Sequence, residues 1–69
     1  MMKPEEVFGV DAGKVWTVLN RNKKALSIAE IVKLGKLKKD EVLAGLGWLG
    51  REGKIEILKE KGGMFFKLL

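Results

Sequence analysis

The chain contains no cysteine, no histidine, no tyrosine and no glutamine, and only one proline, Pro4. Without cysteine there can be no disulfide framework, and without cysteine or histidine the usual zinc ligands are missing, so no metal site is expected. Catalysis loses its commonest acids, bases and nucleophiles. The only side-chain hydroxyls are Thr17, beside an apolar helical stripe, and Ser27, which reads as a helix cap. No carboxylate pair falls in an apolar setting, so no catalytic residue, enzyme activity or cofactor is expected. No apolar run approaches the roughly 20 residues of a membrane span, and no signal-peptide core is present. The expectation is a soluble cytoplasmic protein.

Sixty-nine residues allow one domain. A chain of this size buries only about 60% of the surface it exposes when unfolded, so it relies on good packing or self-association. Twelve lysines, with Cys, His and Gln absent, resemble the bias of heat-adapted proteins, and a thermophilic source is expected. The net charge is +5, unevenly placed. Residues 1–32 carry five positive and four negative side chains, and residues 33–69 carry nine and five. Such an excess attracts phosphate backbones, and it equally describes a solvated lysine surface that keeps a small protein soluble.

Residues 1–10 hold the proline, two acids and little periodicity, and read as a flexible N-terminal arm ahead of a domain over residues 11–69. Asp11 can cap a first helix over residues 11–22. Its apolar stripe is Ala12, Val15, Trp16 and Leu19, with Trp16 expected as a core anchor. Ala25 and Leu26 form an extended link of about one bridge. Ser27 and Glu30 have capping-box spacing, Ile28, Ile31 and Val32 give a second helix its buried face, and Gly35 is expected to end it as the left-handed residue. Leu37 is expected to tuck inward in the turn. A third helix over about residues 38–52 ends at Gly53. The run 54–60 alternates as a strand with Ile55 and Ile57 on one side. Residues 61–63 turn, and 64–69 return with Phe66 and Leu68 inward. The predicted architecture is α+β but mainly α: a three-helix bundle with a C-terminal β-hairpin wing, the layout of a winged helix-turn-helix.

Two stretches, AGKVW (Ala12 to Trp16) and LGWLGREGKI (Leu46 to Ile55), resemble signatures of a small prokaryotic winged helix-turn-helix family. The resemblance spans about residues 8–68. It implies the fold and brings no assigned activity. In that family the third helix is usually capped by Ser or Thr, and Lys38 stands at about that place here.

Gly45, Gly47 and Gly50 also spell GxGxxG. A dinucleotide site needs those glycines between a strand and a helix, whereas here they sit inside a helical pattern, and Trp48 would crowd a phosphate. Each glycine costs the helix about 1 kcal/mol against Ala, so each needs a reason. On a helical wheel Val42, Gly45, Leu46 and Leu49 share the inward side, where Gly45 would admit another helix. Asp40, Ala44, Gly47 and Arg51 face outward, with Leu43 and Gly50 on one flank and Trp48 on the other.

A helix-turn-helix usually lays that outward face in the major groove, where Arg, Lys, Asn or Gln read bases. Ala44, Gly47, Asp40 and a single Arg51 make a poor reading surface. Two functions therefore stay open. The first is a DNA-binding protein, such as a transcription regulator, that contacts the phosphate backbone of double-stranded DNA through Lys36, Lys38, Lys39, Arg51, Lys54, Lys59 and Lys61. The second is a protein-interaction or homodimer module with Leu43 and Trp48 at the interface. Trp48 folded onto the first helix or the hairpin of its own chain is the plain alternative to that role.

Overall fold

The computed structural model describes all of residues 1–69. Helix α1 (Pro4–Asn22) starts at the only proline, which needs no amide partner in the first turn and brings a helix-ready φ. Glu5 and Glu6 follow, where negative charge suits the helix dipole. Residues 4–10, expected as a loose arm, are thus the opening turns of α1. Asp11 is not a cap: it lies mid-helix on the buried side. A left-handed Lys23 (φ 52°) closes the helix, its amide donating to the Leu19 carbonyl.

Asp11, Ala12, Val15, Val18 and Leu19 are the buried residues of α1. Trp16, expected among them, is 42% exposed. One residue on from Val15 is a turn of about 100° around the helix, which puts Trp16 on the flank.

Helix α2 (Ile28–Gly35) is short and depends on its ends. The expected capping box forms: the Ser27 amide donates to Glu30 Oε1 at 2.8 Å, and the Glu30 amide donates to Ser27 Oγ at 3.2 Å. At its far end the left-handed residue is Lys36 (φ 53°), not Gly35. Gly35 serves packing instead, since a Cβ there would lie 2.8 Å from Val18 Cγ2 and 3.0 Å from Leu37 Cδ1. Leu37 tucks against the core, as expected.

Helix α3 (Lys39–Arg51) follows an extended Lys38 whose amide donates to Glu41 Oε1 at 2.8 Å. Lysine has no acceptor to answer, so only one arm of a capping box operates. Val42, Gly45, Leu46 and Leu49 face inward. Gly45 touches α1 so closely that a Cβ would sit 2.7 Å from both the Asp11 carbonyl oxygen and Val15 Cγ2. Glycine is what lets the two helices cross there.

Strands β1 (Ile55–Glu60) and β2 (Gly63–Leu68) pair antiparallel, with Ile57 opposite Phe66 and Glu60 opposite Gly63. Gly62 (φ 86°) makes the tight turn possible. The hairpin is tied to the bundle by a bridge in which Leu26 and Phe66 exchange amide–carbonyl bonds of 2.9 and 2.8 Å. Phe66 completes a core that includes Leu26, Ile31 and the inner sides of α1 and α3. Three helices followed by this hairpin form the expected winged-helix architecture.

Candidate nucleic-acid interface

The turn between α2 and α3 is built by backbone geometry that puts lysines outside. Lys36 takes the left-handed position that closes α2, Leu37 turns inward, and Lys38 and Lys39 open α3. In the hairpin Lys61 and Gly62 form the tip, and Lys59 pairs across to Met64. All five lysines are exposed, and none is in an ion pair.

The other two expected contacts differ. Lys54 lies 3.6 Å from Glu52, an exposed pairing that screens readily. Arg51 is exposed at the end of α3 without an ionic partner. A second surface pair joins Lys67 to Glu56 at 3.7 Å.

Two of the turn lysines border different grooves. Lys36 lines a shallow groove between α1 and α2 with Lys14 and Arg21. Lys39 instead borders an apolar depression with Ile28, Ala29 and Val32. Lys14 and Arg21 are not among the basic residues expected from the sequence. Their seven-residue separation, two helical turns, is the signal that puts them on one side of α1.

Between α3 and the hairpin runs a groove without a charged side chain. Leu43, Gly47 and Gly50 of α3 form one wall, and Ile57 and Met64 form the other. Leu43 is 47% exposed and Ile57 55%. Ile55 and Ile57 share a side as expected, but Ile57 stays open because the facing glycines offer no side chain to cover it. A Cβ on Gly47 would meet nothing within 4 Å, and one on Gly50 only Ile55 Cδ1 at 3.9 Å. Neither glycine is required by packing within the chain.

Trp48, on the opposite flank of α3, is half-buried against the core. Together with Trp16 it walls a groove floored by Gly9, Ala12 and Gly13 of α1.

Both hydroxyls serve the backbone: Thr17 Oγ1 donates to the Gly13 carbonyl at 2.9 Å, and Ser27 caps α2. One carboxyl is electrostatically distinct. The Ser27 amide beside Glu30 holds its carboxyl below the usual carboxylate range, helped by the Ser27 hydroxyl and Lys24. That shift belongs to a structural cap. No helix is long and apolar enough to cross a membrane.

The profile of a family described as "Winged helix-turn-helix domain (DUF2582)" matches residues 1–68. A protein from Bacteroides thetaiotaomicron, solved by NMR in solution, is similar in structure with a TM-score of 0.84 at 30% sequence identity. The similarity covers 96% of this chain and 79% of that one. No curated protein matches the chain.

Proposed function

We propose, given that the chain belongs to the winged helix-turn-helix domain family DUF2582, that it binds double-stranded DNA through the phosphate backbone and does not read bases with α3. In this reading it is a non-catalytic DNA-binding protein that acts in transcription regulation. The observation that carries the reading is the separation of charge from the helix face. Exposed lysines without ionic partners stand at the turn and the wing, namely Lys36, Lys38, Lys39, Lys59 and Lys61. The outward side of α3 presents Asp40, Ala44, Gly47 and Arg51, which lacks the row of long donors that base reading needs.

Lysine suits this role because its ammonium is a point charge that meets phosphate without demanding a base pattern. Both hydroxyls being taken by backbone groups agrees with a binding function rather than a catalytic one.

Titrating random and defined duplexes across a range of salt tests the reading. Five phosphate contacts predict a slope of about −4.5 for log affinity against log salt. Affinity should be the same for every sequence within about threefold, since no base contact contributes. Absence of binding at about 50 mM salt would overturn it.

A further inference from the structure

We propose that the outward face of α3 is an interface for a second copy of this chain, the two helices packing antiparallel about a two-fold axis. The inference goes beyond DNA binding and centres on the stripe of α3 that carries none of the five lysines.

The face is complementary to itself when reversed. It begins with Asp40, passes through Ala44 and Gly47, and ends with Arg51, all on one helical stripe. Asp40 and Arg51 lie about 16 Å apart along the axis at 1.5 Å per residue. Both are exposed, and neither forms an ion pair within the chain. An antiparallel partner sets Asp40 of one copy against Arg51 of the other, twice, with only small residues between. Reversal also opposes the helix dipoles, so both ends of the pair are favourable. A duplex would repel Asp40 at the start of the same stripe, whereas a second copy answers both the charges at its ends and the room beside Gly47 and Gly50 on its flank.

The apolar flank fits the same arrangement. A two-fold axis perpendicular to both helices keeps the Leu43 sides together. Leu43 of each copy then lies beside Gly47 and Gly50 of the other, where the missing side chains leave room. Those are the two outer glycines of α3 that packing within the chain does not require. The approach also covers Ile57 and Met64, the exposed apolar residues on the hairpin wall of that groove. Association would add apolar burial to a chain whose own core is small. The opposite flank brings Trp48 beside Ala44 of the partner helix, next to the indole's packing on its own chain.

Sedimentation equilibrium on the full chain tests this. The native protein should associate to a dimer below about 1 mM. Asp40→Arg and Arg51→Asp each place like charges at both ends, and each should weaken the dimer about tenfold or more. The double variant D40R/R51D restores opposite charges and should return the dimer to within about threefold of native. Circular dichroism on each variant verifies that the monomer is folded. A native protein that stays monomeric to about 1 mM overturns the proposal. So does a folded double variant as weak as the single ones. Neither result touches the DNA reading, because the five lysines lie off this stripe and duplex titration reports on them separately.

Discussion

The two faces of α3 carry glycines for opposite reasons. On the inner face Gly45 is compulsory, because a Cβ would press on the backbone of Asp11 and on Val15 at 2.7 Å. On the outer face Gly47 has nothing within 4 Å of where its Cβ would be. The same residue type, two positions apart in one helix, is in one place a packing requirement and in the other open space. The inner face explains the fold. The outer face is not explained by the fold, and a surface of that kind is where function belongs.

The largest expected contrast comes from truncating a leucine on each face. Leu49 is buried and Leu43 is 47% exposed. Leu49→Ala should cost about 3 kcal/mol, enough to leave so small a domain largely unfolded on warming. Leu43→Ala should stay within about 0.5 kcal/mol of native in dilute solution. Denaturant melts of both variants decide it, and equal costs would break the contrast between the faces.

Gly45→Ala is the next largest. Ala favours a helix by about 1 kcal/mol, yet the clash with backbone should leave a net loss of about 2 kcal/mol. Thermal melts followed by circular dichroism should show a midpoint lower by roughly 10 °C. A rise would mean that α1 and α3 do not approach as closely as they do here.

Ser27→Ala sharpens the comparison with a smaller effect outside α3. Removing the cap of α2 should cost about 1 kcal/mol. The associated acid dependence has a definite sign. Because the Ser27 amide favours the ionised form of Glu30, its contribution is present above the ordinary glutamate range and fades as pH falls through the lower folded value. The difference in melting midpoint between native protein and Glu30→Gln should therefore shrink on acidification. A difference that grows would contradict the cap.

Local signals are the legible ones. The capping box of Ser27 and Glu30 has a fixed spacing and needs no partner element, so the pattern and the structure agree. Gly45 is legible from the wheel, because a glycine on an otherwise apolar inner side of a helix marks the place where a neighbouring backbone comes close. Pro4 does not read as a helix start, because a proline among polar residues near a terminus looks like a breaker as much as a first-turn residue. Gly35 reads as the left-handed residue, a position that Lys36 in fact occupies, since nothing local shows that Val18 and Leu37 crowd the glycine. Trp16 is a borderline member of its stripe, and only the crossing of α3 decides which edge is covered.

The candidate site divides similarly. The lysines of the turn, and those of the wing, cluster in sequence and are visible at once. The meeting of Lys36 with Lys14 and Arg21 depends on how α1 and α2 pack, and no spacing in the sequence encodes it. The apolar groove beside Leu43 is tertiary too, since Ile57 and Met64 reach α3 only through the hairpin.

The most direct test of the central claim, that the outer face of α3 serves association and not folding, is Gly47→Gln followed by melting and sedimentation together. Glutamine is a neutral helix former, and the space around Gly47 is open. In solution dilute enough to be monomeric, the melting midpoint should rise by about 4 °C, while dimer formation is lost as the side chain fills the seat of Leu43. A lower midpoint, or a dimer as tight as the native one, would contradict it.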